Sequence, residues 1–129
     1  MNYLQRNIRV LVVEPKKLPY EKIIPNTLYA KQDIVGGNIE YTRVNNDEET
    51  LLVCNEEGKL DGLPWNRDIG HDIVAGTFLI VGDDADIGED RSLSDAQIEK
   101  YNKLFDKKSI ENTDIALLKV MMKNKNFEI

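Results

Sequence analysis

The segment Leu51–Gly82, LLVCNEEGKLDGLPWNRDIGHDIVAGTFLIVG, restricts the fold more than any other part of the chain. It carries an apolar run at each end, with a charged turn and a polar-aromatic loop between them. Ile73 to Val81 is the longest apolar run in the protein and is expected to form the central strand of a sheet. Thr50–Cys54 and Lys59–Leu63 flank Asn55-Glu56-Glu57-Gly58, a hairpin loop with glycine where a positive φ is needed.

The remaining elements follow from the same kind of signal. Ile8–Val13 is rich in β-branched residues and stops at Glu14-Pro15, which predicts a buried first strand. Tyr20–Ile24 lies between Pro19 and Pro25 and suits an edge strand. Asn26 is expected to cap a helix over Thr27–Val35 that ends at Gly36-Gly37, where glycine takes the left-handed conformation cheaply. Ile39–Val44 alternates, with Ile39, Tyr41 and Arg43 on one face and Glu40, Thr42 and Val44 on the other. Gly82–Asp90 reads as an acidic loop. Ser94 and Gln97 then form a capping box, with Leu93 and Ile98 placed for a hydrophobic staple. Ile98, Tyr101, Leu104 and Phe105 make the apolar stripe of that helix, and Thr113–Lys123 predicts a last one with Ile115, Leu118 and Met122 on one face.

This order predicts an α+β fold, a single domain with a mostly antiparallel sheet and about three helices packed on it. At 129 residues the chain suits one domain with a genuine core. The core is expected over residues 1–108, with residues 109–129 as a C-terminal helix and tail packed on it or appended to it. A formal net charge of −6 argues against generic nucleic-acid binding, which needs a basic face. The charge is uneven: residues 1–31 hold six Lys or Arg and two acids, whereas Asp83–Asp95 holds six acids and one Arg. One cysteine, Cys54, leaves no intramolecular disulfide and makes a reducing, cytoplasmic setting the expectation. No signal-peptide pattern opens the chain, and no stretch approaches the apolar length of a membrane span.

Several chemistries find no support. In the acidic loop, counting from Asp84 puts Gly88 at position five and Asp95 at twelve, which breaks the calcium-loop pattern. One Cys and one His, Cys54 and His71, cannot supply a zinc site alone. Cys54 ends an apolar strand, where an inert buried thiol is the ordinary outcome, and nothing marks it as a nucleophile. His71 beside glycine is a general base only in principle. No phosphate-binding glycine motif opens a helix, and no metal or cofactor is expected.

The candidate ligand-binding residues are Trp65, Asn66 and Arg67, with Gly76 and Thr77 beside them. Arginine offers a fork of donors, asparagine both a donor and an acceptor, and tryptophan a flat apolar surface. Glycine inside a strand implies a bulge or a close approach, either of Trp65 or of a ligand. The alternative is structural: Trp65 plugs the edge of the core, and Arg67 pairs with Glu56, Glu57 or Asp72. Asp83, Asp84, Asp86, Glu89 and Asp90 are the candidate protein-interface residues.

A group of motifs carries a family resemblance. They are Leu11-Val12-Val13-Glu14-Pro15, Asn26-Thr27-Leu28, Ile34-Val35-Gly36-Gly37, Val53-Cys54-Asn55-Glu56-Glu57-Gly58-Lys59, Gly62-Leu63-Pro64 with Asn66-Arg67, and Asp72-Ile73-Val74-Ala75-Gly76-Thr77 through Val81-Gly82. The chain resembles, over about residues 8–105, a family of small proteins classed as a domain of unknown function. That family is common in Gram-positive bacteria and their plasmids, conjugative elements and phages. Tyr29-Ala30-Lys31-Gln32-Asp33 departs from its pattern, and the helix after Ser109 and the tail Lys123–Phe127 lie outside it. The resemblance implies a mobile-element accessory protein, with interference in host defence as the expected setting.

Three function classes follow. The first is a non-enzymatic binding protein that acts against a host defence protein through a protein interface. The second is a module that binds or sequesters a nucleotide or other small molecule, in a homo-oligomer. The third is a small enzyme, ranked last because no nucleophile–base pair or paired carboxylates stand out.

Overall fold

Branched side chains lose freedom in a helix but fit a pleated sheet, and the run before Pro15 forms β1 (Asn7–Val13). The computed structural model describes residues 6–127, and the side chains of residues 6–124. β1 pairs antiparallel with β2 (Tyr20–Pro25) on one side and with β7 (Phe78–Asp84) on the other. β7 also pairs with β4 (Thr50–Asn55), and β4 with β3 (Ile39–Thr42), so the order is β2-β1-β7-β4-β3 with β7 central. β8 (Glu89–Arg91) extends the sheet by pairing with the far end of β7. β5 (Trp65–Asp68) and β6 (Ile73–Ala75) form a separate two-stranded ribbon. With helices α1 (Leu28–Val35), α2 (Asp95–Leu104) and α3 (Lys107–Phe127), the fold is α+β and its sheets are antiparallel throughout.

The period-two alternation of strands builds two cores on opposite faces of the main sheet. Ile8, Val10, Val12, Val53, Leu79 and Val81 pack on one face, against Val35, Ala30 and Ile34 of α1. Leu11, Val13, Leu52, Phe78 and Ile80 pack on the other, against Ile98 and Tyr101 from α2, Phe105 at its C-cap, Val74 from the ribbon and Ile69 from the turn that joins its strands. Phe105 meets the Phe78 ring edge-on, with centroids 5.4 Å apart.

The helix signals at α2 hold as expected. Ser94 Oγ accepts from the Gln97 N–H, the Gln97 carboxamide oxygen accepts from the Ser94 N–H, and Leu93 and Ile98 are both buried. Five other expectations need correction. Thr27, not Asn26, caps α1, its Oγ1 accepting from the Ala30 N–H at 3.1 Å. Asn26 is drawn away because its carboxamide bridges Lys31 Nζ and the Asp90 carbonyl. Lys59–Leu63 is a series of tight turns, closed by Asp61 N–H on the Glu57 carbonyl and Leu63 N–H on the Gly58 carbonyl. Gly58 permits that curl through close approach and not through the positive φ expected of it, since a Cβ there would sit 2.6 Å from the Ala75 carbonyl oxygen. The strand expected at Lys59 therefore begins only at Trp65.

The run Ile73–Val81 is two strands, because Gly76 at φ +86° turns the chain out of the ribbon and into the main sheet. The acidic segment Gly82–Asp90 is an extended hairpin of β7 and β8 rather than a loop. The last helix begins at Lys107, six residues earlier than Thr113, because Asp106 Oδ1 accepts from the Ser109 N–H in the manner of an N-cap.

α2 is also held by a polar chain under its buried face. Tyr101 O–H donates to Asp47 Oδ2 at 2.5 Å, and its oxygen lies 2.7 Å from Thr50 Oγ1. Burial pushes the Asp47 carboxyl up, but the Tyr101 hydroxyl and the Lys100 ammonium outweigh it and bring the carboxyl down to about 2. A carboxylate with a depressed folded-state value stabilises above its unfolded value, and that contribution is lost as the pH falls. Acid titration monitored by urea unfolding is expected to show stability falling between about pH 4 and pH 2. Asp47→Asn should flatten that part of the profile; an unchanged profile would place the loss elsewhere.

Candidate functional site

The loop selected from sequence becomes β5, and its residues diverge. Trp65 is 44% exposed, and the chain beside it pairs with Ala75. Asn66 and Arg67 point inward, at 2% and 0% exposure. The Asn66 carboxamide nitrogen donates to the Val13 carbonyl at 2.8 Å and the Gly76 carbonyl at 2.9 Å, tying the ribbon to β1. Arg67 Nε donates to Ser109 Oγ at 2.8 Å, Nη1 to Asn66 Oδ1 and its carbonyl, and Nη2 to the carbonyls of Lys17 and Phe105.

All five guanidinium N–H groups thus have neutral acceptors, drawn from four residues on three segments of the chain. Glu56, Glu57 and Asp72 are not among them. Burial lowers the Arg67 pKa, and the nearby Asp106 carboxylate offsets part of that. The arrangement fastens β5, the β1–β2 loop and the α2–α3 junction to one side chain and leaves no donor for a ligand. Gly76 supplies the turn itself, and a Cβ there would lie 2.7 Å from Leu63 Cδ1, so Leu63 is the side chain that crowds it.

The five acids of the hairpin separate into two groups. Asp90 is buried with Lys31, their side chains 9% and 7% exposed and 2.5 Å apart, and it also accepts from the Tyr41 hydroxyl at 2.7 Å. Asp83 accepts from Arg43 at 2.8 Å. Asp84, Asp86 and Glu89 make no ion pair among the described residues and lie around the exposed turn that carries Ile87.

A groove of about 570 Å³ opens between the β3–β4 edge and β6. Its floor is apolar, with Cys54, Ile69, Val74 and Ala75, and its rim carries Glu40, Glu56, Lys59, His71 and Asp72. Lys59 Nζ bridges both Asp72 oxygens at 2.6 and 2.7 Å, and His71 Nε2 lies 3.3 Å from Thr42 Oγ1. Burial, and then the Glu40 and Asp72 carboxylates, push the Cys54 thiol up to about 11. It is therefore protonated near neutral pH and poorly suited to nucleophilic attack. Among the described residues no group of three or more His, Cys, Asp or Glu side chains is placed to hold a metal ion. The alternation at Glu40 and Thr42 was a sequence signal for one wall of this groove. Nothing local linked it to His71 and Asp72, which arrive through the ribbon.

α3 is the longest helix, and its first turns pack on β5 through Ser109 and Thr113. Beyond Thr113, Ile115, Leu118, Val120, Met121 and Met122 are each more than half exposed. No helix is long and apolar enough to cross a membrane among the described residues.

A family model described as Domain of unknown function (DUF3846) matches residues 8–106. The chain belongs to that family. The DUF3846 segment takes in α1, α2, the groove and every strand but for Asn7 at the start of β1, and it holds Arg67 with all its acceptors except Ser109. It stops one residue short of α3, so the exposed apolar helix lies outside the DUF3846 match. No curated protein and no solved structure matches the chain.

Proposed function

We propose that this protein is a non-enzymatic binding protein, an accessory of a phage or other mobile element, that acts on a host defence protein through a protein interface. The apolar side of α3 carries the reading. Ile115, Leu118, Met121 and Met122 lie exposed on one side of the helix, with Val120 exposed on the other, a density that marks contact surfaces rather than ordinary scatter. Two are methionines, which adapt their shape to a partner. Lys119 and Lys123 lie among them, and no acid occurs between Asp114 and Glu128. The surface that fits is an apolar groove rimmed by carboxylates on a second protein, which takes an amphipathic helix by its i, i+3 and i+7 side chains. The mobile-element setting is what the family resemblance implies.

The test uses the full chain and the double variant Leu118→Glu/Met122→Glu. Both side chains are exposed, so the urea midpoint is expected to move by no more than about 0.5 kcal/mol of stability. Wild-type protein is expected to retain a host protein that also binds it when both are purified, and the variant to lose that complex. Retention of the same partner by both forms would remove the reading. A wild-type dimer in native mass spectrometry that the variant abolishes would instead assign the face to a second copy of this chain.

A further inference from the structure

We propose that the groove between the β3–β4 edge and β6 binds a small organic cation, an amine carried on a compact apolar body. The proposal is independent of the protein-interface reading, since it concerns a different face and a different class of ligand. The volume, about 570 Å³, lies within the range of small-molecule sites. The floor made by Cys54, Ile69, Val74 and Ala75 offers dispersion contact and no charge.

Charge at the rim selects the ligand. Lys59 is the one ammonium there, and it is held by both oxygens of Asp72, so it has little attraction left for an anion. Glu40 and Glu56 make no ion pair among the described residues. Three carboxylates, Glu40, Glu56 and Asp72, stand against one ammonium in the lining. Such a concave rim with an excess of carboxylates attracts a cation and repels phosphate or carboxylate. The His71–Thr42 pair at the mouth supplies further hydrogen-bonding atoms to orient an ammonium group.

Three probes of similar shape and different charge test the proposal: phenethylammonium, 2-phenylethanol and phenylacetate. Titration followed by backbone amide NMR is expected to show saturable binding of phenethylammonium, with shifts concentrated at Thr42, His71 and Asp72. The alcohol and the carboxylate should bind at least about tenfold more weakly. Glu40→Gln/Glu56→Gln changes two exposed side chains and should leave the spectrum folded while weakening phenethylammonium about tenfold. Equal binding of the three probes, undiminished binding by the variant, or no saturation up to about 10 mM phenethylammonium would overturn the assignment.

Discussion

Replacing Arg67 by alanine is expected to cost about 3–5 kcal/mol of stability in urea unfolding, the largest single loss in this protein. The substitution removes a fully buried side chain, so it leaves a cavity. It also strips donors from the carbonyls of Lys17 and Phe105 and from Asn66 Oδ1, which lose their protein partners in the interior. Native domains are stable by only about 5–15 kcal/mol, so the variant will be close to unfolding at physiological temperature. Arg67→Lys is the control. It keeps the charge but offers three donors from one atom in place of a planar fork of five, and it should recover less than half of the loss. A cost below about 1 kcal/mol for Arg67→Ala would mean that the guanidinium bonds are not made and that Arg67 is available to a ligand after all.

Asp90→Ala is expected to cost a similar amount, about 3–5 kcal/mol, for a different reason. It leaves the Lys31 ammonium buried with Asn26 Oδ1 as its remaining acceptor. An uncompensated buried charge is expensive, whereas replacing both partners by apolar groups of similar size is close to neutral. The double variant Lys31→Met/Asp90→Leu is therefore expected to be more stable than Asp90→Ala alone. Additive losses from the two positions would show that the pair is not coupled. The experiment also separates the hairpin acids, because Asp86→Ala, at an exposed position without an ion pair, should change stability by less than about 0.5 kcal/mol.

Local signals placed many of the elements. Branched residues marked β1, flanking prolines β2 and alternation β3, the Ser94–Gln97 capping box marked the start of α2, and Gly36 at φ +80° ended α1 where a glycine was expected to do so. The failures share a cause. At Gly76 an apolar run looked continuous because hydrophobicity does not report a change of sheet, and both halves are buried, one under the ribbon and one in the main sheet. At Lys59–Leu63 the spacing suited a hairpin, but close packing of Gly58 on Ala75 required a curl. At Asn26 a good capping residue was taken by the buried Lys31–Asp90 pair, whose carboxylate partner is sixty-four residues away in the chain.

The candidate site was legible only as residue types. Arg67 and Asn66 stood out because forked donors and carboxamides have few ordinary uses near a core, and that chemistry is indeed employed. Sequence alone determined that these groups would need acceptors, that the chain would alternate into an antiparallel α+β sheet, and that Ile115, Leu118 and Met122 would share a helical face. The tertiary structure decided which acceptors were within reach: Lys17, Ser109 and Phe105 are distant in sequence and converge on Arg67 only when the ribbon folds over α2. It also decided that the shared face of α3 would be left uncovered, and that Glu40, Cys54, His71 and Asp72 would meet around one groove. Propensity and period act over a few residues, whereas burial and the pairing of polar groups are settled by neighbours from elsewhere in the chain.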